Sequence, residues 1–116
     1  GHEVALNCLT LIHSKMAAEY AYRIYKTEVG ERAEQSVWLI KQIANPIAFE
    51  WVEELLNDKN VMSYGLGVLD QLLWTEQTVY SERVERLFEI ALHNSKGELQ
   101  EKVDFIKEYL KERNSR

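Results

Sequence analysis

Apolar residues recur at steps of three and four along most of the chain, and the strongest example runs from Arg32 to Leu56. This spacing places the apolar side chains on one face of an α-helix. The pattern breaks at Asn45-Pro46, where the asparagine side chain can cap a helix and the proline suits the first helical position. We therefore predict a hairpin of two helices joined by a short corner.

The same spacing continues on both sides of this hairpin, and short polar segments separate the apolar stripes. Ser14 is predicted to cap the second helix, Gly30 to end it, and Asn60 to cap the fifth helix. Ser95 and Glu98 have the spacing of a capping box and are predicted to start the last helix. The sequence thus predicts seven helices, at residues 3-13, 15-28, 31-44, 46-57, 61-74, 80-94 and 96-112.

Two glycines, Gly65 and Gly67, lie inside the fifth predicted helix. Each costs about 1 kcal/mol relative to alanine in a helix interior. A common compensation is the close approach of another backbone at a position where a side chain would not fit. We therefore predict that a neighbouring helix crosses over Gly65.

The predicted helices align with one another as a two-helix unit of about 30 to 37 residues, within the range of helical solenoid repeats. The second helices share the patterns Ala17-x-x-Tyr20-Ala21-x-x-Ile24-Tyr25, Ala48-x-x-Trp51-Val52-x-x-Leu55-Leu56 and Val84-x-x-Leu87-Phe88-x-x-Ala91-Leu92. This indicates an all-α, right-handed superhelix of three helix pairs with a polar C-terminal capping helix. Because any two amphipathic helices can be aligned, a plain helical bundle is the alternative.

The central hairpin resembles a HEAT repeat of the bacterial HEAT-like kind, over about half of the chain when its weaker neighbours are included. The residues concerned are Arg32-Ala33-x-x-Ser36-Val37-x-Leu39-Ile40-x-x-Ile43-Ala44-Asn45-Pro46-Ile47-Ala48-x-x-Trp51-Val52-x-x-Leu55-Leu56-Asn57-Asp58. The tetratricopeptide pattern fits less well, because its Trp, Leu-Gly and Tyr positions do not recur in order. The HEAT resemblance implies a curved stack of helix pairs that serves as a binding scaffold and seldom as an enzyme.

The composition narrows the class of partner. The chain has 116 residues, 46% of them hydrophobic, and a formal net charge of -5. This suits one domain and disfavours binding to nucleic acid or to an acidic membrane, so the expected partner is a protein with a basic or mixed-charge segment. No apolar run approaches the roughly 20 residues that cross a bilayer.

The termini and the cysteine content suggest a compartment. A single cysteine, Cys8, cannot form an internal disulfide, and the N-terminus lacks the parts of a signal peptide, so we expect a cytoplasmic protein. Gly1-His2, with no initiating methionine, is interpreted as a tag remnant joined to a fragment of a longer protein.

No combination of residues indicates catalysis, a cofactor or a metal. Glu85, Glu89 and His93 lie four residues apart on one predicted helix, but metal sites of helical bundles need matching ligands from facing helices. We interpret them as a solvated acidic face. Cys8 and His13 point in different directions on one helix, so they do not form a nucleophile and base, and Cys8 is expected in the core.

The second helices are predicted to form the concave inner face of the superhelix. A DNA glycosylase of the HEAT-like class would need basic residues there, but this face is predominantly acidic, and the related bilin lyases have no marker residues here. We therefore predict a non-catalytic scaffold that binds a protein segment on this face. The predicted contact residues are Glu50, Glu53, Glu54, Glu82, Glu85, Glu89, Trp74 and Tyr80. The alternative is that these glutamates only favour helix formation and solubility.

Two further expectations concern aromatic residues and the N-terminus. Trp51 falls on the core stripe, whereas Trp38 falls just off it. The first predicted helix carries an apolar face with little protection, which we expect to self-associate or to pack on further repeats. Its apolar residues are Val4, Leu6, Leu9, Leu11 and Ile12.

Overall fold

The computed structural model describes the backbone of residues 2–114 and the side chains of residues 12–114. Within this range all regular secondary structure is helical and no β-strand is present, as predicted. The helices are α1 (His2–Thr27), α2 (Glu31–Ile43), a 3-10 helix (Pro46–Trp51), α3 (Val52–Leu56), α4 (Met62–Trp74), α5 (Glu82–Asn94) and α6 (Gln100–Asn114). Predictions that rest on Gly1, on side chains 2–11 (including Cys8 and most of the N-terminal apolar face) or on residues 115–116 fall outside these described residues.

The predicted break at Ser14 is wrong, because α1 continues through it from His2 to Thr27. No glycine or proline interrupts this segment, and a serine tolerates a helix interior when its hydroxyl finds another partner. That partner is Asn45, whose side-chain amide donates to Ser14 Oγ at 2.7 Å. The two helices predicted at 3–13 and 15–28 are therefore one long helix.

The Asn45-Pro46 corner is confirmed. Asn45 Oδ1 accepts from the backbone N–H of Ile47 at 2.9 Å, and Pro46 is the first residue of the 3-10 helix. Because the asparagine amide also bonds to Ser14, one buried side chain both caps the new helix and ties it to α1. The residues 46–57 predicted as one helix form the 3-10 helix followed directly by α3.

Other predicted end signals act differently. Gly30 occupies the N-cap position immediately before α2, with φ of 64°, instead of ending α1. Asn60 does not cap α4, because Val61 occupies the N-cap position and no side chain caps the helix. The Asn60 N–H donates to Asp58 Oδ1 at 3.0 Å. The Ser95 hydroxyl accepts from Leu99 N at 3.2 Å within a turn, and α6 begins only at Gln100.

The helices form two layers. One layer contains α2, α4 and α6, and the other contains the C-terminal half of α1, the 3-10 helix with α3, and α5. In the layer that contains α1, α3 and α5, contacts at both ends show that neighbouring helices run in the same direction. Arg83 at the start of α5 lies over the Phe49 ring, 4.9 Å from its centre, and Asn94 at its end donates to the Leu56 carbonyl at 3.0 Å. The shortest dimension of the molecule, 18 Å, corresponds to two helix layers.

The hydrophobic core lies between the layers, where the predicted stripes meet. Its largest fully buried side chains are Phe88, Ile40, Leu55, Leu56, Leu66, Leu69, Leu72, Leu73, Ile106, Val37, Val52 and Val61. The predicted close approach at Gly65 is confirmed, because a Cβ placed there would lie 2.8 Å from Leu55 Cβ. This contact brings α3 and α4 together and offsets the helix-propensity cost of the glycine.

Candidate functional site

The six glutamates predicted on the second helices fall into two groups. Glu54 and Glu85 are held by contacts within the chain. Glu50, Glu53, Glu82 and Glu89 are exposed, and none of the ion pairs among the described side chains includes them. Only this second group presents uncompensated carboxylates to solvent.

Glu54 joins α3 to α1. Lys26 Nζ forms an ion pair with Glu54 Oε2, and Tyr22 Oη donates to Oε1 at 2.5 Å. Burial acts to raise the pKa of Glu54, but the hydrogen bonds from Lys26 and Tyr22 outweigh it and hold the pKa below its ordinary value. Glu54 therefore has a structural role at the interface between α1 and α3, which we call the α1–α3 seam.

Trp51 belongs to the same seam. Its ring stacks on the ring of Tyr22, with centres 4.3 Å apart and planes 2° from parallel. The predicted core role is met only in part, because Trp51 is half-buried at the edge of the core. Farther along, Tyr25 Oη donates to Asp58 Oδ2 at 2.7 Å, so polar and aromatic contacts connect α1 to the 3-10 helix, to α3 and to the turn after α3.

Glu85 makes the corresponding contacts to α6 and to the loop before α5. Lys107 Nζ lies 3.0 Å from Oε1, and Tyr80 Oη donates to Oε2 at 2.5 Å. The hydrogen bond from Tyr80, followed by that from Lys107, holds the pKa of Glu85 below its ordinary value. Tyr80, which was predicted as a partner contact, is thus already bonded to another predicted contact residue.

Trp74 lies at the end of α4 in the other layer, where it remains 56% exposed. Its ring meets Tyr109 edge-on at 5.1 Å, and the Arg113 guanidinium lies 5.7 Å from its centre. Arg113 also donates to the Leu73 carbonyl at 2.8 Å. Trp74 and the acidic residues of the second helices therefore lie in different layers.

The sequence did not single out the groove that lies across α2, α4 and α6. It is open to solvent, has a volume of about 630 Å³, and has Leu66, Gly67 and Ile106 among its lining residues. One exposed aromatic side chain from each helix stands beside it: Trp38 at 48%, Tyr64 at 38% and Phe105 at 66% exposure. We call this feature the aromatic groove.

The groove carries charges of both signs. Lys41 and Lys102 contribute ammonium groups and Glu101 a carboxylate, and these three take part in no ion pair among the described residues. Asp70 accepts from Tyr109 Oη at 2.6 Å, and burial, with this hydrogen bond, raises the pKa of Tyr109. The aromatic rings are therefore surrounded by a polar rim, the usual anatomy of a protein-binding patch.

A sequence signal for the groove exists in retrospect. Trp38, Leu39 and Phe105 widen the apolar stripes of α2 and α6 beyond the face that the core needs, and all three are exposed. From the sequence alone, Trp38 lies just off the stripe, and no binding role is predicted for Leu39 or Phe105. Which of these residues meet in one groove depends on packing between the helices.

Over the described part of the chain, no three His, Cys, Asp or Glu side chains converge as metal ligands, and His93 and Glu89 are exposed. No helix within that part is both long and apolar enough to cross a membrane. No family model, curated protein or solved structure matches the chain.

Proposed function

We propose that this chain is a non-catalytic protein-interaction scaffold that binds a segment of another protein in the aromatic groove. The observation that carries this proposal is the position of three exposed aromatic rings, one each from α2, α4 and α6, beside one groove. Isolated apolar residues on a surface need no explanation, whereas a cluster with a polar rim is typical of an interaction site. Aromatic residues also contribute disproportionately to binding energy at such sites.

The proposed architecture is the right-handed superhelix of HEAT-like helix pairs, with α6 as the terminal cap. The parallel order of α1, α3 and α5 in their layer and the equivalent seams, α1 with α3 and α3 with α5, support it. In such stacks the outer surfaces of equivalent helices form one continuous face. The aromatic groove lies on that face, in the layer that contains α2, α4 and α6.

The proposed occupant is a mixed-charge segment with one or two large apolar side chains. The apolar anchors would pack against Trp38 and Phe105, while the segment's acidic and basic residues would meet Lys41, Lys102 and Glu101. A purely basic or purely acidic segment would meet a like charge somewhere along the rim. A cytoplasmic setting is part of this proposal and rests on the sequence observations alone.

The test is selection from a random peptide library displayed on phage, followed by calorimetry with the selected peptides. We expect the peptides to share an apolar anchor flanked by both charge signs. Phe105→Ala should weaken binding about tenfold or more, because truncating an aromatic hot spot removes over about 1.4 kcal/mol. Peptides that bind the wild type and Phe105→Ala equally well would contradict the proposal.

A matched control comes from Tyr80→Ala. Tyr80 is as exposed as Trp38, at 48%, but lies outside the groove. The Tyr80→Ala variant should bind the peptides with unchanged affinity, while Trp38→Ala and Phe105→Ala should each reduce the affinity. Thermal denaturation of every variant separates lost binding from lost folding.

A second candidate surface for the same function is the acidic face of the second helices, as the sequence suggested. The observation that favours it is the exposure of Glu50, Glu53, Glu82 and Glu89 without ion pairs. A basic segment could complete that face. Changing Glu50 and Glu53 to lysine, with Glu54 kept because it holds the seam, should abolish salt-sensitive binding of an oligolysine probe. Equal binding by this variant would leave the acidic face with a solubilising role.

A further inference from the structure

The free edge of α1 carries an apolar stripe that no described part of the chain covers. Ile12, Met16 and Tyr20 follow one another at four-residue steps and are 54%, 63% and 63% exposed. Residues on the opposite side of the helix, Ala18 and Ala21, are buried. The stripe therefore faces away from the core.

Packing around α1 explains why this edge is free. Within the described residues, α1 packs against α2 and the 3-10 helix and contacts α3 through Glu54. Beside the stripe lies an open hollow of about 600 Å³ lined by Met16, Tyr20, Arg23 and Trp51. Space on this side could accommodate the side chains of another helix.

Charges along the flank of the stripe alternate in sign. Lys15, Glu19 and Arg23 stand one helical turn apart, and none takes part in an ion pair among the described residues. Together they give this edge a local charge of +1, in contrast to -5 for the whole chain. The long-range repulsion between two acidic copies is therefore reduced along this edge.

We propose that two copies of this chain associate through α1, with their helices antiparallel about a two-fold axis. Such an axis, passing midway between Lys15 and Glu19, would bring Glu19 of each copy to Lys15 of the other. The two ion pairs are equivalent by symmetry, because a two-fold interface uses the same patch on both copies. Met16 would then meet its own copy near the axis, and Ile12 would face Tyr20.

The order of charges along α1 favours an antiparallel second copy of the chain over other partners. A partner helix of uniform charge would meet both attraction and repulsion along the +, −, + row, whereas an antiparallel copy matches opposite charges in one register. A parallel copy would place each charge beside its own kind. This inference goes beyond the proposed function and does not depend on it, since the aromatic groove lies on other helices.

The experiment is sedimentation velocity of the full chain across a concentration series at low and moderate salt. We expect a concentration-dependent dimer whose dissociation constant rises with salt. Met16→Glu should raise that constant about tenfold or more, because it places two carboxylates at the axis of a dimer. A wild type that sediments as a monomer at every concentration would overturn the proposal.

Charge reversal tests the register. Lys15→Glu and Glu19→Lys should each weaken the dimer, and the double variant should restore it, because the exchanged charges match again across the axis. All these residues are exposed, so folding, checked by circular dichroism, should be retained. An unchanged dissociation constant in Met16→Glu, or a double variant that dimerises no more strongly than the two single variants, would also overturn it. Phe105→Ala is the matched control and should dimerise as the wild type does.

Discussion

The two glycines of α4, two residues apart, lie in contrasting environments. At Gly65 the helix meets α3 so closely that a Cβ would be 2.8 Å from Leu55 Cβ and 3.2 Å from the Leu55 carbonyl carbon. At Gly67 a Cβ would meet only the flexible side chain of Lys41, with the nearest atom, Cδ, at 3.3 Å. The first glycine permits packing between the layers, and the second leaves room beside an open groove. The same residue type thus supports the fold at one position and a candidate binding surface at the other.

The largest effect is expected from Gly65→Ala. Alanine favours the helix by about 1 kcal/mol, but its methyl group would collide with the side chain and backbone of Leu55 and force α3 away from α4. We expect a net loss of about 2 kcal/mol in the free energy of unfolding. Urea denaturation followed by tryptophan fluorescence measures it. A variant as stable as the wild type would mean that the α3–α4 contact is looser than described.

The close contact at Gly65 could be predicted from the sequence because its cause is local: an unfavourable residue inside a strong helical pattern needs compensation. The Asn45-Pro46 corner could be predicted for the same reason. Ser14 could not, because its hydroxyl and backbone suit both a cap and a helix interior, and the choice depends on Asn45, which is 31 residues away. The separation of Glu54 and Glu85 from the exposed glutamates likewise depends on Lys26 and Lys107 of other helices.

The aromatic groove was missed on similar grounds. Periodicity shows which face of a helix is apolar, but it does not show how wide a face the neighbouring helices will cover. Trp38 and Phe105 lie at the edges of their stripes, and 67 residues of sequence separate them. Only the packing of α2, α4 and α6 places both rings beside Gly67.

The second-largest loss of stability is expected at the interface between α4 and α6. Tyr109 Oη contacts Asp70 Oδ1 at 2.6 Å and the Asp70 carbonyl at 3.0 Å, so Tyr109→Phe removes a hydrogen bond to a charged group. We expect a loss of about 1 to 2 kcal/mol. Tyr80→Phe is the matched control, because its bond to Glu85 is exposed and should contribute much less. If Tyr109→Phe lost as little stability as the control is expected to lose, the contact with Asp70 would not hold α6 in place.

A third, smaller effect is pH dependence at the α1–α3 seam. Because the folded pKa of Glu54 lies below its ordinary value of 4.5, its contribution to stability is present above that pH and is lost as the pH falls through the folded pKa. Glu54→Gln should therefore reduce stability at neutral pH by less than about 1 kcal/mol, since the side chain is 35% exposed. The difference between the two proteins should shrink in acid. Denaturation at pH 7 and pH 3 tests this, and a constant difference would contradict it.

The smallest effect on stability, and the opposite sign, is expected from Gly67→Ala. The added methyl group gains up to about 1 kcal/mol of helix propensity, and the Lys41 side chain can move by the few tenths of an ångström that the 3.3 Å contact requires. The variant should be as stable as the wild type or slightly more stable. Urea denaturation beside Gly65→Ala gives the comparison directly, because the same substitution two residues away should change stability in opposite directions.

Gly67→Ala also tests peptide binding, because it can weaken binding without lowering stability. Its methyl group narrows the groove beside Leu66 and displaces Lys41, one of the rim cations, so a peptide selected on the wild type should bind less tightly to it. Loss of stability cannot explain such weakening when the variant is at least as stable as its parent. Calorimetry with the selected peptide makes the measurement, and Phe105→Ala provides the reference loss. If Gly67→Ala destabilises the chain as much as Gly65→Ala does, Lys41 is packed too firmly to move, and the region beside Gly67 is part of the closed core.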